Sequence, residues 1–279
     1  MNKLGLGTAQ FGLDYGVSNH SGKVKLSVAK KIILFARKQK IGLIDTAMNY
    51  GDSEKMLGKI DLSGFNIISK LPLPPKKTIF LKEWIENEFK LCLQRLNVKS
   101  LYALLIHDTK ILMGEKGKII IDALYNLKSR NLLKKIGVSI YNIEELELIM
   151  ELMNINIVQA PLNIVDRRLD RSGWLLKLKK KNIEIHTRSV FLQGLLLLPR
   201  NKIPSKFNKW SKIWDFWQHE LDRNDLDAKT VCLSYPLSFP EIDNVIIGTE
   251  NENQLSEIVL ASKKKIKNID WSFMISNDE

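Results

Sequence analysis

The sequence predicts a (β/α)8 barrel: eight short apolar β-rich runs recur along the chain, helical patterns separate them, and chemically versatile side chains gather just past the ends of the runs. The runs are Leu4 to Thr8, Ile41 to Ala47, Asn66 to Leu71, Ala103 to Asp108, Lys135 to Ile140, Ile157 to Leu162, Glu184 to Ser189 and Asn244 to Thr249. Most read as apolar on both faces, as strands do in a parallel sheet covered on two sides. Helix start signals lie between them: Ser27 before Val28 to Arg37, Ser53 with Glu54 before Met56-Leu57, and Asn142 with Glu144-Glu145 before Leu146 to Leu152. The longest helical pattern is Thr78 to Arg95. Its apolar positions Ile79, Trp84, Ile85, Phe89, Leu91 and Cys92, continuing to Leu96, are mostly spaced by three or four, as for packing on a barrel. From Val190 to about Asp225 the rhythm breaks into a segment too long for a βα turn, with Pro199 and Pro204 inside it. There Trp210, Trp214 and Trp217 form an aromatic stripe whose expected role is packing, with a substrate-pocket wall as the alternative.

A chain of 279 residues buries roughly 75% of its unfolded surface and needs neither disulfide nor metal to hold a core. One domain spanning residues 1–279 is the expected organisation. The two cysteines, Cys92 and Cys232, fall inside apolar helical patterns and read as buried thiols of a reducing compartment. No metal-ligand cluster stands out. The first residues enter a strand directly and no stretch reaches the ~20 apolar residues of a membrane span, so the expectation is a cytoplasmic protein without a membrane partner. Net charge is +12. A lysine-rich solvated surface accounts for it, with attraction of an anionic cofactor or substrate as the alternative. The runs Lys177 to Lys181 and Lys263 to Lys267 lack interleaved aromatics and any nucleic-acid motif, which argues against nucleic-acid binding. The hydrophobic pattern carries no signal of oligomeric state.

Asp45, Tyr50, Lys70 and His107 each stand at or just past the C-terminal end of a run, the end at which barrels do chemistry. A phenol such as Tyr50 becomes a useful acid when a nearby ammonium favours its phenolate, and Lys70 can be that cation. Asp45 can pair with Lys70 and fix it, while His107 can orient a carbonyl oxygen. Together they suit carbonyl reduction, in which hydride reaches carbon while Tyr50 protonates oxygen.

These residues sit in motifs that resemble the aldo-keto reductase superfamily over nearly the whole chain. The segment Ile44-Asp-Thr-Ala-Met-Asn-Tyr-Gly-Asp-Ser-Glu-Lys-Met-Leu-Gly58 is similar to that family's signature around its catalytic Asp and Tyr, and Ile68-Ser-Lys70 and Leu104-Leu-Ile-His107 follow in order. The resemblance implies a nicotinamide dinucleotide bound without a GxGxxG loop: NADPH by the family's leaning, with NADH a close alternative. It places Gly7 and Thr8 of the first strand, and again Asp45, on the cofactor. Ser139 and Gln159 resemble the residues that hold the nicotinamide carboxamide. Many relatives have Asn directly after that Ser, where this chain has Ile140, so Asn142 and Asn163 are candidate replacements. Arg188 takes the place of an aromatic that stacks on the nicotinamide ring, its alternative role being to pair with a carboxylate. Ser189, Phe191, Gln193 and Gly194 resemble the loop that covers the pyrophosphate. Gly248, Thr249, Glu250, Gln254 and Glu257 resemble the adenosine end, where NADPH-preferring relatives usually present Lys or Arg.

The expected function is therefore an NAD(P)H-dependent reductase acting on a small-molecule aldehyde or ketone. A sugar or sugar derivative is suggested by Asn49, Asp108, Asn163 and Arg167 near the mouth, and the short charged tail after Ser262 suggests an open site. The alternative is a non-catalytic nucleotide sensor or docking protein on the same fold, against which all four catalytic-type residues argue.

Overall fold

The computed structural model describes residues 2–264 and 266; the tail beyond 266, on which the expectation of an open site partly rests, lies outside the described residues. Eight parallel strands close in sequence order: β1 Leu4–Gly7, β2 Leu43–Asp45, β3 Asn66–Leu71, β4 Leu101–Ile106, β5 Leu133–Ser139, β6 Ile157–Pro161, β7 Glu184–Arg188 and β8 Asn244–Gly248. The last strand closes on the first through the register Leu4↔Val245 to Gly7↔Gly248. Around them run α1 Ala9–Gly12, α2 Leu26–Lys38, α3 Ser53–Leu57, α4 Leu81–Leu96, α5 Glu115–Ser129, α6 Glu145–Leu152, α7 Arg168–Arg171, α8 Trp174–Lys180, α9 Ser211–Arg223, α10 Ala228–Leu237 and α11 Glu252–Lys263. The architecture is the (β/α)8 barrel that the sequence predicts. Seven of the eight strands end one or two residues earlier than expected, β3 alone ending at the expected residue, Leu71.

Strand periodicity divides the barrel into layers. Leu4, Leu6, Ile44, Leu104, Ile106, Ile136, Val138 and Val158 face outward and join the helices in one large apolar core. Leu43, Ile68, Ala103, Leu105, Ile157 and Ile246 form a separate apolar cluster inside the barrel. Two residues further along each strand stand Asp45, Lys70, His107, Ser139, Gln159 and Gly248, so the plug forms a floor beneath the polar mouth. Beneath the plug lies a polar layer of Tyr102, Lys135, Glu184, His186 and Asn244.

Several local expectations are corrected. Helix α4 begins at Leu81 rather than Thr78, because the Thr78 N–H and hydroxyl both close a turn onto the Pro75 carbonyl. Ile79 is thereby left 84% exposed instead of packed, while Leu81, Ile85, Phe89, Cys92 and Leu96 make the buried stripe. Neither Ser27 nor Ser53 caps its helix: Ser27 lies inside α2, after Lys25, and Asp52 precedes α3, neither N-terminus having a side-chain cap bond. Helix α6 likewise follows Glu144 without a side-chain cap, and Asn142 lies two residues further out. Between Val190 and Asp225 the chain folds into three short 3-10 turns, Leu192–Leu197, Arg200–Lys202 and Ser205–Trp210, followed by α9. Trp214 and Trp217 are buried and donate their indole N–H to the Phe207 and Leu196 carbonyls, so the stripe is packing. Both cysteines are buried and free. Lys177, Lys179, Lys180 and Lys181 are exposed around buried Leu178, a solvated helix face. Among the described residues no helix is long and apolar enough to cross a membrane.

The polar bottom layer makes stability depend on pH. Burial alone would raise the Glu184 carboxyl, but hydrogen bonds from His186, Lys135 and Tyr102 outweigh it and hold the group down at about 2. A carboxylate depressed on folding stabilises the protein above its unfolded pKa, and that contribution is lost as pH falls through the folded value. Urea unfolding between pH 5 and pH 2 should therefore show a steeper loss of stability in wild type than in Glu184→Gln; parallel curves would exclude this role.

Candidate active site

Four segments bring the polar mouth together. Asp45 ends β2, where its carbonyl accepts both the Thr8 N–H and the Thr8 hydroxyl, each at 3.0 Å. The following turn returns toward β3, since the Met48 N–H donates to the Lys70 carbonyl at 3.2 Å and the Tyr50 N–H to that of Ala47 at 3.0 Å. It also rests directly on α1: a Cβ on Gly12 would lie 1.7 Å from the Tyr50 carbonyl oxygen, so only glycine lets the two backbones approach this closely.

Lys70 points into the barrel and is 1% exposed. Its Nζ donates to Asp45 Oδ2 at 2.6 Å, to the Thr46 carbonyl at 3.1 Å and to the Tyr50 hydroxyl at 3.4 Å. Burial alone would lower the Lys70 pKa, yet the charges and hydrogen bonds of Asp45 and Tyr50 more than offset it, and the group is held above its ordinary value as an ammonium. Asp45 Oδ1 accepts Gln159 Nε2 at 2.7 Å, so both oxygens of this buried carboxylate are engaged. His107 follows β4 and meets the Tyr50 ring edge-on, with centroids 5.7 Å apart. Burial and the neighbouring Lys70 charge lower the His107 imidazole to about 4, so it is neutral over the physiological range. The arrangement offers a phenol beside a buried ammonium and a neutral imidazole, all at one point.

That point opens into a cavity of about 530 Å³ running along the barrel mouth from His107 and Ser139 to Glu257. Its wall includes Gly7, Thr8, Asp45, Ser139, Arg188, Ser189, Phe191, Gln193, Gly194, Gly248, Thr249, Glu250, Gln254 and Glu257, every residue that the sequence assigns to the cofactor except Gln159. Gln159 lies just beneath, fully buried, and its Oε1 has no hydrogen-bond partner among the described residues. A buried amide oxygen left open under a cavity wall fits a ligand with an N–H to offer, such as a carboxamide. The donors and acceptors present therefore fit a nicotinamide dinucleotide.

Other assignments change. Asn163 donates to the Ser189 carbonyl and accepts the N–H groups of Val165 and Asp166, so it braces a loop and does not replace the missing Asn at Ile140. Asn142 accepts from Arg168 and lines a neighbouring cavity rather than this one. Arg188 does not pair with a carboxylate: it donates to the Ile140 carbonyl at 2.9 Å and the Ser189 hydroxyl at 3.3 Å, and stacks 4.2 Å over the Tyr141 ring. Arg167 donates to the Ile164 carbonyl and lies over Tyr235, away from the mouth.

Sequence reasoning missed the walls supplied by Gln10, Tyr15, Tyr141, Asp227 and Lys229. Tyr141 stands two residues past Ser139, where a count by twos finds it. Asp227 carries the signature of a helix cap, its carboxylate accepting the Thr230 N–H and hydroxyl. Tyr15 had no local signal, because a bond from the Val17 N–H to the Gln193 carbonyl brings its loop to the site.

The family model described as Aldo/keto reductase family matches residues 3–274. The chain belongs to that family. It is 23% identical to the NADH-specific methylglyoxal reductase of Escherichia coli (strain K12), an alignment covering 98% of this chain and 94% of the relative. Among solved structures, the holo form of an aldo-keto reductase from Bacillus halodurans superposes with a TM-score of 0.76 at 18% identity, covering 94% of this chain and 87% of that one. The glycerol dehydrogenase of Gluconobacter oxydans superposes with a TM-score of 0.71 at 19% identity, covering 96% and 88%. As an aldo-keto reductase, the protein is an oxidoreductase that acts on a small carbonyl compound with a nicotinamide cofactor.

A proton NMR titration of the reductase should give a His107 ring midpoint near 4, assigned by its disappearance in His107→Gln. A midpoint at the ordinary histidine value of about 6.5 would mean that the imidazole is neither desolvated nor close to the Lys70 charge.

Proposed function

We propose that this aldo-keto reductase reduces a small, polar, hydroxyl-bearing aldehyde or ketone, with Tyr50 as the general acid. The observation that carries the reading is the chain of contacts Asp45–Lys70–Tyr50, at 2.6 and 3.4 Å, ending beside His107 where two cavities meet. Besides the long cavity, a second of about 590 Å³ shares His107, Ser139 and Tyr141 with it and is otherwise lined by Asn49, Pro72, Leu73, Asp108, Thr109, Lys110, Asn142 and Glu145. Most of the residues on that wall carry a polar group, beside the apolar Pro72 and Leu73, which suits a substrate carrying hydroxyls near its carbonyl.

In this reading Ser139 and Gln159 would hold the carboxamide and Arg188 would lie against the ring. The loop from Ser189 to Gly194 would cover the pyrophosphate, with Thr249, Glu250, Gln254 and Glu257 at the adenosine end. A bound nicotinamide supplies the hydride that reaches the carbonyl carbon. His107, neutral, donates an N–H toward the carbonyl oxygen and orients it. The Tyr50 hydroxyl gives its proton to that oxygen as negative charge develops there. Lys70 stabilises the phenolate left behind, and Asp45 keeps the ammonium in place. Run backward, the same groups take the proton from an alcohol.

For the cofactor, the charge at the adenosine end favours NADH over NADPH. Gly248 and Gln254 stand where a phosphate-binding Lys or Arg would be expected, and Asp227, Glu250 and Glu257 all line that end. Lys229, the lysine on the wall among the described residues, is paired with Glu257. A 2′-phosphate would meet three carboxylates and one already neutralised ammonium, whereas a free ribose diol can donate to Glu250. The relative named as NADH-specific points the same way.

Nicotinamide absorbance assays over polar aldehydes and ketoses should show turnover that falls about 10²- to 10⁴-fold in Tyr50→Phe, with cofactor affinity within about twofold of wild type. Binding without turnover would favour a nucleotide sensor instead. Fluorescence titration should give a Kd for NADH at least about tenfold below that for NADPH, a difference of about 1.4 kcal/mol, and Glu250→Lys should narrow or reverse it. Tighter binding of NADPH by wild type would overturn the assignment.

A further inference from the structure

Outside the barrel wall, directly behind the catalytic residues, a second buried carboxylate has no place in the chemistry described above. Glu54 is 1% exposed and lies in α3, four residues after Tyr50. Its Oε1 accepts the Ser69 hydroxyl at 2.7 Å and the Cys92 thiol at 3.0 Å, and its Oε2 accepts Arg95 Nε at 2.6 Å. Three segments thus converge on one side chain: the Tyr50 turn through α3, strand β3 through Ser69, and α4 through Cys92 and Arg95.

The chain geometry gives these bonds a direction. Ser69 and Lys70 are neighbours on β3, so their side chains leave opposite faces of the strand: Lys70 into the barrel toward Asp45, Ser69 outward to Glu54. On the other side, the turn carrying Tyr50 is closed by the Ser53 N–H on the Tyr50 carbonyl at 3.0 Å. It is anchored through the Ser53 hydroxyl, which donates to the Thr8 carbonyl at 2.9 Å. Glu54 is the next residue. The end of α3 is packed directly on α4, since a Cβ on Gly58 would lie 2.0 Å from the Arg95 carbonyl oxygen, so it has no room to move further toward that helix. The outer bond from Glu54 to Ser69 and the inner contact from the Tyr50 hydroxyl to Lys70 Nζ therefore bridge the same two segments from opposite sides of the strand.

We infer that Glu54 is a positioning residue for the carbonyl-reducing machinery, fixing the Tyr50 turn against β3 so that the Tyr50 hydroxyl and the Lys70 ammonium stay in contact. The inference rests on the proposed role of Tyr50 and adds to it the group that sets its distance from Lys70. A buried carboxylate is a costly way to fill space, since apolar side chains of similar volume hold a core as well or better. Its distinctive property is that it can accept from the hydroxyl, thiol and guanidinium donors of three neighbours at once, which sets a position and not merely a volume. The burial of Cys92, with the charge of Glu54 beside it, pushes the thiol well up, so Cys92 serves here as a hydrogen-bond donor and not as a nucleophile.

Two variants test this without requiring that either folds perfectly. Glu54→Gln keeps an oxygen for Ser69 and Cys92 but removes the charge; Ser69→Ala keeps the charge and removes only the bond to β3. The decisive readout is the crystal structure of each variant. In both, the contact from the Tyr50 hydroxyl to Lys70 Nζ, 3.4 Å in wild type, should lengthen beyond hydrogen-bond range as the turn moves off β3. The kcat should fall about tenfold or more, while KM and cofactor affinity stay within about twofold. An unchanged contact in both variants would overturn the inference, whatever happens to the melting temperature. The distance needs no turnover, so absence of carbonyl reduction in wild type would sink the catalytic reading and still leave the role of Glu54 judged.

Discussion

Lys70 holds a positive charge where it is only 1% exposed to water, and much of the upper barrel follows from how that charge is satisfied. Burying an ammonium carries a penalty of several kcal/mol unless partners surround it, and removing one partner of such a pair typically costs about 3–5 kcal/mol. The partners are the Asp45 carboxylate, the Thr46 carbonyl and the Tyr50 hydroxyl, and they come from one continuous stretch of chain. That stretch must therefore return to β3 immediately after leaving β2, which requires the turn from Ala47 to Tyr50 and its close approach to Gly12. Gln159 is drawn in to cover the second Asp45 oxygen and leaves its own carbonyl oxygen open. A single buried cation thus ties together three strands, β2, β3 and β6, and the loop bearing the phenol.

Burial, with the same charge beside it, accounts for the state of His107. An imidazole beside an ammonium, in surroundings that exclude water, gives up its proton readily, which matches the low value near 4. A neutral imidazole can donate a hydrogen bond to a carbonyl oxygen, and in the proposed reaction it leaves the proton transfer to Tyr50. Lys70 acts on both neighbours: it donates to the Tyr50 hydroxyl and helps keep His107 uncharged. The apolar plug of Leu43, Ile68, Leu105, Ile157 and Ile246 makes this possible by keeping the polar bottom layer away from the mouth. Without that floor, the Lys135–Glu184 pair would lie in the same polar interior as the catalytic charges.

The sequence was most informative where local pattern and chemistry coincide. Parallel strands buried on both faces read as continuous apolar runs, and polar residues at the ends of the runs lie at the barrel mouth, so Asp45, Lys70 and His107 could be placed from the pattern, while Ser139 was legible through the family resemblance. Features decided by long-range contacts were misread or invisible. Ile79 fits a helical stripe in sequence but is excluded from α4 by the turn onto Pro75. Asn163, a reasonable carboxamide partner by position, is held by the Ser189 carbonyl and two backbone N–H groups of its own loop. Glu54 read as a helix-start residue; its burial follows from the arrival of Ser69 and Arg95 from elsewhere in the chain. Tyr15 enters the site only because its loop docks on Gln193.

Net charge is the clearest case of a global property that misleads locally. A chain of +12 suggests attraction of phosphates, yet the adenosine end of the long cavity carries Asp227, Glu250 and Glu257 against one lysine already paired. At physiological ionic strength, screening over about 8 Å confines the influence of distant surface lysines, so the charge met inside the cavity is set by its nearest groups. The positive groups stand at its other end, Lys70 buried beneath Tyr50 and Arg188 over Tyr141. The cavity is therefore polarised along its length, with cations at the end proposed for the carbonyl and carboxylates at the end proposed for the adenosine ribose. Both ends are set by residues within contact distance, and the lysine-rich exterior bears on the approach of an anionic ligand more than on its recognition.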